Sequence, residues 1–229
     1  MARSSRPMRT HTHQEFEAEL RNLKDRLLAM GGRCEQMIAM AVRAFEDRDE
    51  ALAQEVMEAD HGMDEDEVAI DELAVRILAL RQPVGRDLRF AVAAVKASTD
   101  LERIGDEAVN IAERAIEMEP AGRLSRPGSK LPEMAQRAGA MLRDALNAFV
   151  EEDANKARDV FEQDDAVDDL YGEVMGLCLD DMKDPSRIAD GMRICNCAKY
   201  IERIADHATN IAEMVIFMVE GRDVRHGNL

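Results

Sequence analysis

Apolar residues recur every three or four positions along most of the chain, which is the period of an α-helix with one buried face. The first such stretch covers about 14–46 and runs from Phe16 to Phe45, with Gly31 and Gly32 in its middle. Each glycine costs a helix about 1 kcal/mol relative to Ala but does not by itself end it. The pattern therefore predicts helix on both sides of the glycines and leaves open whether one helix or two forms.

The same period predicts further helices over about 50–81, 87–118, 131–150, from about 155 to 182, and from 185 to 220. The segment RQPVGRDLR at 81–89 predicts a turn, because the residue before a proline resists the α conformation. Asp184 and Pro185 have the form of an N-cap and a first-turn proline. Three long helices thus fall in each half of the chain.

The segment PAGRLSRPGSKLP at 120–132 is the only long cluster of Pro and Gly, and it lies just past the middle of the chain. Short turns between amphipathic helices favour antiparallel packing around a shared core. We therefore predict an all-α fold of two tandem three-helix bundles related by an internal pseudo-twofold repeat. The predicted domains are a disordered basic tail (1–13), a first bundle (14–119), a linker (120–131), a second bundle (132–222) and a C-terminal tail (223–229).

Composition supports helices and narrows the choice of partners. The 229 residues include no Trp and only 3% aromatics, whereas sheets draw on aromatic and β-branched residues. The formal net charge is −17, which repels a phosphate backbone, so we expect no nucleic-acid partner. Cations, or basic surfaces of other proteins, are the expected counterparts.

The sequence also indicates where in the cell the protein resides and whether its cysteines are reduced. No apolar run approaches the roughly 20 residues needed to cross a bilayer, and the basic start lacks the apolar stretch of a signal peptide. The four cysteines form no CxxC pair, and Cys195 and Cys197 are too close together for the usual zinc-ligand spacing. We expect a cytoplasmic protein with reduced thiols.

One fourteen-residue segment occurs twice, as DLERIGDEAVNIAE at 100–113 and as YIERIADHATNIAE at 200–213, with nine identical positions. Both copies keep an acid four residues before another acid: Glu102 and Asp106, then Glu202 and Asp206. These acids lie nearly opposite the apolar seam of their helix, where a solvated face is the ordinary interpretation. However, a solvated face tolerates almost any polar residue, and the stripe has no Lys or Arg within it. Since like charges four residues apart repel, we predict that something positive sits over them.

The preceding helix of each half repeats the same four-residue step with Asp60 and Asp64, then Asp164 and Asp168. Asp60 and Asp164 fall at the edge of an apolar face, where a carboxylate is costly to desolvate unless something pairs with it. Two neighbouring helices could converge four carboxylates on a cation, and an all-oxygen ligand set suits Mg²⁺, Mn²⁺, Ca²⁺ or carboxylate-bound iron.

Three classes of function remain open at this point. The first is a metal-binding regulator, and the second is a metal-free adaptor whose acidic face binds a basic partner. The third, a carboxylate-bridged metalloenzyme, is suggested by one E-x-x-H pair, Glu58 and His61, but the second such pair is missing. Since no glycine-rich phosphate cradle, nucleophile elbow or catalytic triad is present, we expect no enzyme. His207, beside Asp206, is interpreted as a surface neighbour of the second site.

The two copies of the repeated segment resemble the paired E/D-x-x-x-D signatures of the PhoU family of bacterial phosphate-signalling regulators. RQPVGRDLR resembles the family's turn before the first signature, and GRDVRH at 221–226 resembles its C-terminal ending. The turn before the second signature, KDPSRIADGMR, keeps little of this pattern beyond its proline. Residues 1–13 and the linker have no evident counterpart in the family.

The resemblance implies two three-helix bundles, homodimers and surface sites for iron, zinc, manganese or magnesium. By position, the implied ligands are Asp60, Asp64, Glu102, Asp106, Asp164, Asp168, Glu202 and Asp206. It also implies a negative regulator without enzyme activity, acting on the ATPase subunit of a phosphate ABC transporter and on a phosphate-sensing histidine kinase. Contact with the membrane would come only through these partners.

Overall fold

The computed structural model describes residues 8–118 and 125–224, which form six long α-helices and, within these ranges, no strand. The helices are α1 (Met8–Asp47), α2 (Glu50–Arg81), α3 (Arg86–Ile116), α4 (Leu131–Glu151), α5 (Ala154–Asp181) and α6 (Ile188–Glu220). Short 3₁₀ turns precede α4 (Gly128–Lys130) and α6 (Pro185–Arg187). The predicted all-α architecture of two three-helix bundles is confirmed.

The turn between the first two helices of each bundle is the same structure twice. Arg48 and Glu152 both have a φ of 54°, and each is followed by an aspartate that caps the next helix. The Asp49 carboxylate accepts from the backbone N–H of Leu52 at 3.0 Å, and that of Asp153 accepts from Asn155 at 2.8 Å. An acid at this position satisfies N–H groups that the helix itself leaves unpaired.

The second turn of each bundle differs between the halves. Between α2 and α3, Gln82 and Gly85 take positive φ values of 48° and 59° and reverse the chain. Between α5 and α6, the Asp184 carboxylate accepts from the backbone N–H of Ser186 at 3.0 Å. The predicted cap at Asp184 therefore forms, but it starts a 3₁₀ turn, and α6 itself begins at Ile188.

The first helix is continuous through both glycines and begins earlier than expected. A Cβ on Gly31 would lie 2.2 Å from Cδ1 of Leu146 on α4, whereas a Cβ on Gly32 would meet nothing within 4 Å. Gly31 therefore permits close approach of the other bundle and does not break the helix. Helix α1 also begins at Met8, inside the segment 1–13 predicted to be a disordered tail, and residues 1–7 lie outside the described residues.

The two bundles share one continuous hydrophobic core. Besides the contacts within each bundle, α3 packs against α6 and α1 packs against α4. The rings of Phe90 and Phe149 meet across this interface with centroids 5.5 Å apart. Arg89 Nε donates to the carbonyl of Met218 at 2.9 Å, which joins the N-terminal end of α3 to the C-terminal end of α6. This interface was not predicted from the sequence, which indicated two tandem bundles only.

Three further features bear on the sequence predictions. No helix in the described ranges is long and apolar enough to span a bilayer. All four cysteines are buried and unpaired, and the Cys34 thiol donates to the carbonyl of Leu101 at 3.2 Å. Val224 is only 5% exposed, so the described start of the predicted C-terminal tail packs on the core.

Candidate metal centres on the two bundles

The eight predicted acids fall into two clusters, one on each bundle. In the first, α2 carries Asp60 and Asp64 and α3 carries Glu102 and Asp106; in the second, α5 carries Asp164 and Asp168 and α6 carries Glu202 and Asp206. Each pair of helices packs side by side. We call these groups the first and second carboxylate clusters.

The first acid of the pair on α3 and the first acid of the pair on α6, Glu102 and Glu202, do not lie on a fully solvated face. The side chains of Glu102 and Glu202 are 17% and 15% exposed, because the preceding helix of the bundle covers them. Asp106 is more open, at 39%. The face opposite the apolar seam is therefore partly covered, which raises the free energy of ionised carboxylates there.

Asp60 lies directly against the backbone of α3. A Cβ on Gly105 would be 3.6 Å from Oδ1 of Asp60 and 3.3 Å from Cγ of Met63. Burial raises the pKa of Asp60, and the charges of Asp106 and Asp64 raise it further. The acids of α2 and α3 thus act on one another across the helix–helix contact.

Glu102 of the first cluster shows the same repulsion from neighbouring acids. Burial raises the pKa of Glu102, followed by the charge of Asp106 and, more weakly, those of Glu67 and Asp64. Glu67 is a fifth acid at this site, and its Oε1 accepts a hydrogen bond from Thr99 Oγ1 at 2.9 Å.

The largest rise in pKa among these acids occurs in the second cluster. Burial, and then the charges of Asp168 and Asp206, raise the pKa of Asp164 to about 6. Burial also raises the pKa of Asp206, with the charge of Glu202 the next cause. Both clusters therefore gather negative charge from two helices, as the repeated spacing predicted.

Each cluster has one basic side chain over it, so part of the positive charge that the sequence predicted there comes from the chain itself. Arg103 lies with Nη1 3.1 Å from Asp106 and Nε 3.5 Å from Glu102. In the second cluster Lys199 Nζ lies 2.5 Å from Glu202. The interpretation of a stripe without basic neighbours was wrong, because Arg and Lys reach it from adjacent positions on the same helix.

Arg203, the equivalent of Arg103 in the second repeat, pairs with a residue of the other bundle. Arg203 Nη1 lies 2.9 Å from Oε1 of Glu107, a carboxylate on α3 that is only 2% exposed as a residue. Burial raises the pKa of Glu107, and the charge of Arg203 acts against this rise. This ion pair crosses from one bundle to the other.

His207 lies at the interface between the bundles as well as beside Asp206 of the second cluster. Its Nδ1 is 2.9 Å from Oδ1 of Asp100 on α3, and the Asn210 amide donates to the same oxygen at 3.1 Å. The His207 side chain is 18% exposed. Asp100 and Glu107 were not singled out from sequence, since only packing of α3 on α6 brings their partners to them.

The donor chemistry of both clusters fits a hard cation, because the groups that face one another are carboxylates whose mutual repulsion a cation would relieve. The arrangement of these carboxylates in space fits a cation less well. Among the residues that the structure describes, no three acidic, His or Cys side chains converge closely enough to hold a metal ion. Holding an ion at either cluster thus requires its side chains to rotate inward from these positions.

Comparison with known proteins places these features in a family. A family model described as the PhoU domain matches residues 27–115 and 131–215, one segment in each bundle. The chain belongs to the PhoU family.

PhoU proteins of known name and structure are similar over nearly the whole chain. A "Phosphate-specific transport system accessory protein PhoU homolog" of Pseudomonas aeruginosa is 42% identical over 217 residues, covering 94% of this chain and 90% of that protein. The protein of Escherichia coli K12, "Phosphate-specific transport system accessory protein PhoU", is 37% identical over 221 residues, covering 94% and 90%.

Two solved PhoU structures superpose on this fold. The crystal structure of PhoU from Pseudomonas aeruginosa has a TM-score of 0.85 at 41% identity and covers 90% of this chain and 100% of that one. That of the "phosphate transport system regulatory protein PhoU" from Streptococcus pneumoniae also has a TM-score of 0.85, at 28% identity, covering 91% and 99%.

Proposed function

We propose that this chain is a non-enzymatic regulator of phosphate uptake and phosphate-starvation signalling that binds metal ions at its two carboxylate clusters. Its relatives are named as accessory or regulatory proteins of phosphate transport, and the chain spans about nine-tenths of their length. In this proposal it restrains a phosphate ABC transporter through the ATPase subunit. It also keeps a phosphate-sensing histidine kinase in its inactive state.

The observation that carries the metal-binding part is the cross-helix repulsion within both clusters. Burial and neighbouring acids raise the pKa of Asp164 to about 6, and those of Asp60, Glu102 and Asp206 are raised for the same reasons. A cation among these oxygens would replace repulsion by attraction. Magnesium, manganese, iron and zinc are the candidate ions.

The charge of the molecule supports docking on basic protein surfaces. With 47 acidic and 30 basic residues, the chain attracts such surfaces and repels nucleic acid. A homodimer in the cytoplasm, which meets the membrane only through the transporter or the kinase, is the form that we propose for it.

A phosphate-starvation reporter in a strain lacking this chain tests the regulatory role. In high phosphate the reporter should be active in the deletion strain and silent when the wild-type chain is restored. A chain carrying E102Q, D106N, E202Q and D206N should fail to silence it at equal abundance. A reporter that stays silent in the deletion strain would contradict a negative regulator.

A metal-free adaptor is the second candidate, and the basic side chains over the clusters favour it. Arg103 and Lys199 already neutralise part of each cluster. In that case the acidic faces bind the partner directly, and a chelator should leave the unfolding temperature unchanged. A metal that binds only the folded state must raise it.

A further inference from the structure

Two of the four buried cysteines lie opposite each other in the second bundle. Helices α5 and α6 are joined by a short turn and pack side by side. Cys178 lies three residues before the end of α5, and Cys195 lies seven residues after the start of α6. Both are free thiols in this structure.

A close contact beside the turn fixes the register of these two helices. A Cβ on Gly191 would lie 2.7 Å from Cγ of Met182, so the backbone of α6 lies directly against that side chain. Cys178 is four residues before Met182, and Cys195 is four residues after Gly191. Four residues make about one helical turn, so each cysteine lies on the contacting face of its helix, one turn farther from the connection. Because the chain reverses between α5 and α6, the two thiols lie at the same level.

The two thiols also act on each other. Burial raises the pKa of Cys178 to about 12, and interaction with the Cys195 thiol is the next cause of this rise. Cys195 is the more exposed of the two, at 9% against 0%. The other cysteines have different surroundings. Cys34 donates to a backbone carbonyl, and the charges that act on Cys197 are those of an arginine and a glutamate.

The first bundle has no thiol at the equivalent positions. Ala74 and Val95 occupy them, by the offsets that relate Asp60 to Asp164 on the second helices and Glu102 to Glu202 on the third. A buried cysteine packs as a small apolar residue, and alanine and valine meet that need in the first bundle. Packing of the helices therefore does not require two thiols here.

We propose that Cys178 and Cys195 form a site of reversible oxidation, at which hydrogen peroxide joins the two thiols in a disulfide that links α5 to α6. The Cys195 sulfur attacks one peroxide oxygen, the O–O bond breaks, and the thiol proton leaves with the other oxygen as water. The Cys178 sulfur then attacks the sulfur of the resulting sulfenic acid, and the displaced hydroxyl leaves with the Cys178 proton as a second water. The two thiols lose two hydrogen atoms, and peroxide is reduced to water.

Peroxide reaches the pair from the end of a helix. Cys178 lies one turn from the end of α5, and helix ends open more readily than their centres. Because its raised pKa keeps Cys178 protonated at neutral pH, the thiols stay reduced until peroxide is abundant. In the cytoplasm proposed for this chain, such a disulfide is transient and the dithiol is the resting form. The inference does not depend on metal binding.

Peroxide treatment of the folded, full-length protein tests this inference. After treatment the remaining thiols are alkylated in denaturant, and the protein is digested without reductant for mass spectrometry. We expect a linked pair of peptides that contain Cys178 and Cys195, with Cys34 and Cys197 alkylated, and dithiothreitol should reverse the link. The oxidised protein should unfold at a temperature about 5–10 °C higher, because the link closes the loop between the two cysteines.

C178A and C195V, which install the residues of the first bundle, should each abolish the link. C197A is the matched control, because Cys197 is fully buried on the same helix as Cys195, and it should leave the link unchanged. The link is measured in the wild-type protein itself, so the test does not depend on how the variants fold. No link between Cys178 and Cys195 in the wild type, or equal oxidation of all four cysteines, would overturn the inference.

Discussion

Arg203 on α6 forms an ion pair with Glu107 on α3, with 2.9 Å between the guanidinium nitrogen and the carboxylate oxygen. Glu107 is 2% exposed, so removing its partner leaves a buried carboxylate without a counter-charge. We predict that R203A lowers the free energy of unfolding by about 2 kcal/mol at pH 7. The loss should shrink as the pH falls, because burial already raises the pKa of Glu107 and its protonated form needs no partner. Urea unfolding at pH 5 and pH 7 measures this.

Arg103 provides the matched control for this prediction, because it holds the same position in the first repeat. Its guanidinium pairs at the surface with Asp106 and Glu102, so R103A should cost less than about 1 kcal/mol. E107Q together with R203A should recover much of the loss of R203A alone. Equal losses for R103A and R203A would contradict a special role for the pair between the bundles.

Gly31 and Gly32 are neighbours on α1 with opposite predicted responses to Ala. G32A should raise the free energy of unfolding by up to about 1 kcal/mol, since the added methyl meets nothing and Ala favours the helix. G31A should lower it by about 1 kcal/mol, because its Cβ would fall 2.2 Å from the buried Leu146 side chain and the helices must move apart. Thermal unfolding of both variants and the wild type shows whether G32A is the most stable and G31A the least stable. A G31A protein as stable as G32A would show that α1 and α4 do not approach so closely.

The metal-free protein should lose stability as the pH rises from about 4 to about 6. The folded-state pKa of Asp164 is raised to about 6, above the usual value of about 3.9, so the folded chain binds more protons than the unfolded chain in this range. Stability therefore falls with rising pH until the group is fully ionised. D164N removes the charge, and we expect it to melt higher than the wild type at pH 7 and at the same temperature near pH 4.

D159N is the control, because Asp159 is exposed on the same helix α5. It should keep the wild-type dependence on pH when both are measured in a chelator. If D164N showed no advantage over the wild type at pH 7, repulsion within the second cluster would be too weak to attract a cation.

Helical period and turn residues were enough to predict the six helices. The bounds of α2 agree with the predicted 50–81, and α6 ends at Glu220 as expected. Local signals of this kind act within a few residues, which is why sequence alone reads them well.

Features that depend on distant parts of the chain were not predictable. Gly31 lacks a side chain where Leu146, more than a hundred residues away, packs against it. Glu107 has its counter-charge on the other bundle. Arg103 and Arg203 are identical in the repeat, yet one folds over its own cluster and the other crosses the interface. The direction of a long side chain depends on its neighbours in space. The repeated segment alone does not contain that information.

The metal content of the purified protein tests the central claim most directly. Protein purified without chelator, and the same protein reloaded with Mn²⁺ after chelation, should contain bound metal in stoichiometric amounts by elemental analysis. The variant E102A, D106A, E202A and D206A should contain none. A control variant replacing four exposed acids on α2 and α5 with Ala (Glu55, Glu72, Asp159 and Glu162) should keep the wild-type amount. Equal metal in the wild type and the cluster variant, or none in the wild type after reloading, would contradict the claim that these carboxylates hold the ions.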